Sequence, residues 1–339
     1  MAEQDKVRVG VLGLGSIAQV VHLPILSQLE NAVLAGVCDL DRAKARAIAA
    51  RFGIPRVFQS DEEIFRSPDV DALVICTPNH LHDAQAIASL QSGKHTLVEK
   101  PLAMTAEAAA RVLAAAESAG RVLQVAMNNR FRPDVQALKP FAAGGELGEL
   151  FLAQGAWLSR RMRLLRPTWR HRRATAGGGA LMDLGVQILD MAWWLLGFPK
   201  VSTVYGSMYQ PPGMEVEDAA TVVLRLANGG CISLSVSWSM ITDRDVHNLR
   251  LLGTRGSGAI APLAVFKELD TGMIDVTPQL PAHRENLYTT SYRNELRAFL
   301  NAARGAETPP RPREQVELMQ LVSLAYRAAE EKREVEVMG

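Results

Sequence analysis

Apolar and polar positions alternate along the chain in two distinct rhythms. Through residue 127, short apolar runs alternate with longer segments: VRVGVLG (7–13), AVLAGVCD (32–39), DALVICT (71–77), HTLVEK (95–100) and VLQVAM (122–127). In the intervening stretches, such as DRAKARAIAARF (41–52) and TAEAAARVLAAAESAG (105–120), apolar residues recur every three or four positions. Near-continuous apolar runs suit strands covered on both faces, and their alternation with helices predicts an α/β unit with a parallel, doubly wound sheet. Beyond about residue 128 the helices thin out. ELFLAQGAWLS (149–159), VSTVYGSMYQ (201–210), DAATVVLRLANGG (218–230) and CISLSVSWSM (231–240) read as strands of an antiparallel sheet. Asn228-Gly229 predicts a tight hairpin between the last two, because both residue types accept positive φ. Helical spacing returns at 291–304 and 312–330, around the proline-rich TPPRPRE. The expected organisation is one domain over 1–127 and a second over 128–339.

Composition narrows the class. With 339 residues and 48% hydrophobic content the chain can bury a full core, and a net charge of +1 offers nucleic acid no overall basic field. Cys38, Cys76 and Cys231 are scattered inside apolar runs, which predicts reduced core thiols and no metal or disulfide framework. The polar start MAEQDK and the lack of an apolar run of membrane length predict a cytoplasmic protein with no membrane contact.

The N-terminal chemistry begins at VGVLGLGSIAQ, where Gly13, Gly15 and Ala18 satisfy the dinucleotide fingerprint between a strand and a helix starting near Ser16 and Ile17. Asp39 closes the second strand, where a carboxylate accepts bonds from the adenosine ribose. That carboxylate repels a 2′-phosphate and the next cation in sequence is Arg42, so NAD is expected in preference to NADP. Ligands bind beyond the carboxyl ends of parallel strands, which brings in ICTPNHLH with Thr77, Asn79 and His82, and LVEKPLAMT with Glu99 and Lys100. Lys100, before a proline open to the cis form, reads either as a desolvated proton carrier or as a surface lysine paired with Glu99.

The stretch GGGALMDLGVQILD (177–190) opens on a triglycine expected to be flexible and continues as a helix. Leu181, Leu184, Ile188, Met191 and Leu195 form its apolar stripe, while Asp183, Gln187 and Asp190 share a neighbouring face read as lining the substrate. Just before it, residues 160–173 hold Arg160, Arg161, Arg163, Arg166, Arg170, Arg172 and Arg173. Guanidinium forks at a substrate mouth suit an acidic substrate; the alternative is a solvated or subunit-contacting cluster.

Taken in order, GLGSIA, CTPNHLH, VEKPLA, NNRF, WR and GGGALMDLG resemble the glucose-fructose oxidoreductase, inositol dehydrogenase and rhizopine-catabolism (Gfo/Idh/MocA) family over roughly residues 6 to 330. The resemblance implies a Rossmann domain, a C-terminal α/β domain with a large, open, mostly antiparallel sheet, and pyridine-nucleotide chemistry on sugars or cyclitols. It makes Lys100 the catalytic lysine and Asp183 the substrate-contacting aspartate. With the strand-end geometry, cofactor contacts fall to Gly13, Gly15, Ser16, Ile17, Ala18, Asp39, Thr77, Asn79, His82, Glu99, Lys100, Asn128, Trp169 and Arg170. Substrate contacts fall to Lys100, Arg170, His171, Asp183 and Gln187. Members carry His or Tyr where Gln187 stands, and an amide relays no proton. Three readings follow: Lys100 is sole base with Gln187 orienting the hydroxyl, His171 or His82 substitutes, or oxidation is lost. The expected activity is NAD-dependent oxidation of a sugar, sugar-acid or cyclitol hydroxyl, or the reverse. An NAD-using glycosidase or epimerase and a non-catalytic sugar binder are the alternatives, and homodimers or homotetramers are implied.

Overall fold

The computed structural model describes residues 6–160, 168–281, 285–307 and 312–337. These divide into two compact units, Met1–Asn128 with Tyr288–Val316, and Asn129–Leu287 with Glu317–Gly339. The expected second domain over 128–339 thus differs in one segment, because Tyr288–Val316 returns to the first unit. The reason is packing: Tyr292, Leu296, Phe299 and Leu300, at helical spacing on α9 (Leu287–Ala303), enter the same core as Val9, Val11, Leu26 and Val37.

Among the described residues, the first unit holds five parallel strands: β1 (Val7–Leu12), β2 (Ala32–Cys38), β3 (Ala72–Ile75), β4 (His95–Glu99) and β5 (Leu123–Ala126), in the order β2-β1-β3-β4-β5. All fall within the expected apolar runs. The order reverses between β1 and β3, so the crevice where ligands bind in such sheets opens at their carboxyl ends. The helices are α1 (Leu23–Leu26), α2 (Arg42–Phe52), α3 (Asp61–Arg66), α4 (Asn79–Gln91) and α5 (Ala106–Ala119). Asp41 and Thr105 cap α2 and α5 through side-chain oxygens, and Gly53 and Gly120 end them in the left-handed conformation.

The second unit carries β6 (Leu150–Arg160), β7 (Val201–Tyr209), β8 (Ala219–Leu226), β9 (Cys231–Met240), β10 (Val246–Gly253), β11 (Gly256–Ile260), β12 (Ala264–Leu269), β13 (Gly272–Asp275) and β14 (Val335–Glu336). They form a sheet of order β13-β12-β11-β10-β6-β9-β8-β7-β14, antiparallel except between β6 and β9. Strand alternation is clear on β9, where Ile232, Leu234 and Val236 are buried and Ser233 and Ser235 line the opposite, polar face with Gln154, Asn248 and Arg250. The helices are α6 (Pro133–Ala143), α7 (Arg173–Ala176), α8 (Val186–Leu195) and α10 (Glu314–Glu331). Strands β10 to β13 lie beyond the last expected strand; their short, charge-interrupted runs give a weak alternating signal.

The β8–β9 hairpin forms as expected, with one correction to its turn. Gly229 alone takes positive φ (85°), while Asn228 accepts the Gly230 N–H through its side-chain oxygen at 3.0 Å. Cys38, Cys76 and Cys231 are free thiols, and no helix among the described residues is long and apolar enough to cross a membrane.

Candidate active site

The first unit builds its candidate site from strand ends. Gly13 has φ of 86°, and a Cβ there would stand 2.8 Å from the Thr77 nitrogen, so both conformation and space demand glycine. At Gly15 a Cβ would meet nothing within 4 Å. That open space over the backbone is the cradle a pyrophosphate needs. Ser16 and Ile17 begin the following helix, and fully buried Ala18 opens a π-helical turn, Ala18–His22. These features fit a pyridine dinucleotide, with helix N–H groups for its phosphates.

Asp39 braces the same turn, accepting the Leu14 N–H at 2.7 Å and the Asp41 N–H at 2.8 Å. Its nearest cation is Lys44, whose ammonium lies 2.9 Å from Oδ2. Arg42, the cation expected from sequence order, instead donates to the Gln59 carbonyl.

At the end of β3, the Thr77 hydroxyl donates to Gln85 (2.5 Å), which donates to Asp61 (2.6 Å), and buried Asn79 starts α4. His82 is enclosed, with Nδ1 2.7 Å from the Pro101 carbonyl and Nε2 2.8 Å from the Thr77 carbonyl. Burial holds its pKa below the ordinary histidine range, against the pull of both carbonyls. His82 therefore ties the end of β3 to the Lys100–Pro101 turn, whose peptide bond is cis.

Glu99 is no surface partner for a lysine. It is buried and accepts from the His22 Nε2–H at 2.7 Å, with Tyr292 edge-on to the imidazole at 5.6 Å between centroids. Burial works to raise the Glu99 pKa, but the His22 bond and the Lys100 charge outweigh it and hold the carboxyl below the ordinary range. Lys100 itself is half-buried at the mouth of β4. Asn128, expected at the cofactor, donates to the Ser291 hydroxyl at 2.9 Å.

In the second unit the triglycine is held rather than flexible. A methyl on Gly178 would overlap the Tyr326 hydroxyl and one on Gly179 the Glu217 carbonyl, so these residues are glycine for close approach. Buried Glu217 accepts from the N–H groups of Gly179 and Leu181 at 2.9 Å and from the Tyr326 hydroxyl at 2.8 Å. A π-helical turn, Leu181–Gly185, then leads into α8.

The row Asp183, Gln187, Asp190 splits. Asp190 is 1% exposed and takes both arms of the Arg130 guanidinium, at 2.7 and 2.6 Å, so it is a buried ion pair and lines no surface. Gln187 donates to the Asp183 carbonyl at 3.0 Å and faces Asn129 at a long 3.5 Å. The Trp238 indole N–H donates to Asp183 Oδ2 at 3.1 Å, and the His171 ring lies 5.7 Å from that indole. His171 Nδ1 accepts the Thr168 N–H at 3.1 Å. Arg170, exposed, lies 4.5 Å over the Trp169 ring, and Arg160, Arg172 and Arg173 are also exposed, while Arg161, Arg163 and Arg166 lie outside the described residues.

Sequence reasoning missed His22, Lys44, Trp238 and the group of buried Arg132 and Asp134 with half-buried His247. Arg132 forks onto Asp134 (3.0 and 2.7 Å) and donates to His247 Nδ1 (2.6 Å), and His247 stacks on Trp157 at 4.3 Å. Burial and the Arg132 charge push the His247 pKa down to about 3. Among the described residues no three His, Cys, Asp or Glu side chains are grouped to hold a metal ion.

Residues 7–127 match the oxidoreductase family's NAD-binding Rossmann fold, and residues 142–337 match its C-terminal alpha/beta domain. D-glucoside 3-dehydrogenase of Escherichia coli K12 is 28% identical over 97% of each chain. Inositol 2-dehydrogenase of Rhizobium meliloti 1021 is 29% identical over 98% of this chain and 99% of its own. The crystal structure of GenD2 from gentamicin A biosynthesis, in complex with NAD, is 26% identical, with a TM-score of 0.86 over 99% of this chain and 97% of its own.

Proposed function

The chain belongs to the Gfo/Idh/MocA oxidoreductase family, and from that premise we propose that it moves a hydride between NAD and a secondary hydroxyl, or the matching ketone, of a sugar, sugar acid or cyclitol. The observation that carries this reading is the grouping of Asp183, the Trp238 indole and the His171 ring beside Gln187. A carboxylate takes hydroxyl donors, and flat rings offer the apolar face of a pyranose or cyclitol a surface to rest on.

Bound NAD supplies the hydride acceptor, the nicotinamide ring. Lys100, beside buried Glu99, takes the proton of the reacting hydroxyl. Asp183 accepts from a neighbouring hydroxyl. Gln187 does not ionise between pH 6 and 9, so it orients and relays nothing. His82 is committed to two carbonyls and serves as a brace. Gln187 also supports a second reading, in which oxidation is transient within a glycosidase or epimerase cycle or absent altogether. The polar sheet face at Gln154, Ser233 and Asn248 is where we place pairing into a homodimer or homotetramer, and the free thiols suit a cytoplasmic setting.

The test is a panel of sugars, uronic acids and inositols scored for NADH formation. At least one substrate should give net NADH, and Lys100→Met should lower turnover roughly 10² to 10⁴-fold while leaving NAD affinity near wild type. Product without net NADH supports the transient cycle; polyol binding without product supports a non-catalytic relative.

A further inference from the structure

The carboxylate at the end of β2 is more heavily engaged than ribose recognition alone requires. Oδ2 of Asp39 accepts the Leu14 N–H at 2.7 Å and holds the Lys44 ammonium at 2.9 Å, while Oδ1 accepts the Asp41 N–H at 2.8 Å. A carboxylate offers about four acceptor positions, and three are taken. The adenosine ribose of NAD brings two hydroxyl donors, one more than the remainder.

The three contacts are unequal. Leu14 belongs to the glycine-rich turn and Asp41 is the N-cap of α2, so both N–H donors are fixed by backbone. Lys44, three residues past that cap, reaches Asp39 on a flexible stem and is 34% exposed, against 10% for Asp39. It is the contact that can yield. It also places positive charge beside the carboxylate that would otherwise repel a 2′-phosphate.

We propose that Lys44 sets the discrimination between NAD and NADP: its ammonium neutralises Asp39, gives way to the ribose hydroxyls of NAD, and pairs with the 2′-phosphate of NADP. The chain's preference for NAD is then a balance between two adjacent side chains, and NADP is admitted to the extent that Lys44 offsets Asp39. The proposal concerns the adenosine end of the cofactor and does not depend on which polyol, if any, is oxidised.

The experiment is calorimetric titration of the cofactor-free protein with ADP-ribose and with 2′-phospho-ADP-ribose. Lys44→Met should weaken the 2′-phosphorylated ligand about tenfold, the scale of one charge-assisted contact, while ADP-ribose changes less than about threefold. Lys44→Arg should keep the wild-type ratio. Asp39→Ser should shift the ratio toward the phosphorylated ligand, and the double variant should lose that gain. The Lys44 effect should also shrink as salt rises, since the pair is partly exposed. Equal changes for the two ligands in Lys44→Met, or an Asp39→Ser gain that survives loss of Lys44, would overturn the proposal; circular dichroism of each variant excludes misfolding as the cause.

Discussion

Two candidate reaction residues each stand beside a buried glutamate, and the two glutamates are held differently. Glu99, next to Lys100, meets a side chain, the His22 imidazole at 2.7 Å. Glu217, beneath the helix start that carries Asp183, is gripped by two backbone N–H groups and the Tyr326 hydroxyl. A carboxylate held by backbone donors keeps its geometry while the turn stays folded. A carboxylate held by a side chain depends on the packing of that side chain, so the Lys100 region is the more easily perturbed of the two.

Deleting the backbone-held anchor is the harshest way to break this comparison. Glu217→Leu strands three donors, each costing about 1 to 3 kcal/mol when buried unpaired, so urea unfolding should show a loss of roughly 5 kcal/mol. Glu217→Gln should recover most of it, because one oxygen can still accept from Leu181 and Tyr326. His22→Leu comes next, leaving Glu99 without its imidazole at a cost of about 3 to 5 kcal/mol. Adding Glu99→Leu should return part of that stability, and unchanged stability in the single variant would show that the pair does not anchor the turn.

Acid acts on a third partnership, Arg132 with His247. The His247 pKa of about 3 lies below its ordinary value of 6.5, so between those values the unfolded chain binds the proton first. Its stability contribution is complete above pH 6.5 and is lost as pH falls toward 3, by up to about 1.4 kcal/mol per unit. Glu99, also depressed, adds its loss as pH falls through the ordinary glutamate value of 4.5. His247→Gln keeps an acceptor for Arg132 and should flatten urea midpoints between pH 6.5 and 4. The smallest effect is expected from Trp238→Phe, which removes one donor to Asp183 and should cost about 1.5 kcal/mol, near tenfold in kcat/KM for the polyol.

What could be read in advance was local. The apolar runs of the five strands and the fingerprint of Gly13, Gly15 and Ala18 are each written in a few neighbouring residues. Lys44 at Asp39 required knowing that Asp41 caps α2 and so aims the third helical residue back at β2. The triglycine looked flexible because its neighbours, Glu217 and Tyr326, lie far along the chain. Asp190 looked like a ligand contact because periodicity places a residue on a face but does not supply Arg130 opposite it. Trp238 at Asp183 and His247 at Arg132 join segments 55 and 115 residues apart, separations at which no spacing rule operates. The same holds for α9, whose apolar stripe was visible but whose destination was not.

That last segment has a consequence for synthesis. The first unit cannot close its core when residue 128 leaves the ribosome, since Tyr292, Leu296 and Phe299 have not yet been made. At ordinary elongation rates the nascent sheet waits on the order of 10 to 30 s, with the apolar ground under α9 open to solvent or to a chaperone. The second unit also lacks Glu317–Gly339 until that stretch has been made. A chain stopped at residue 287 would therefore contain neither unit in finished form.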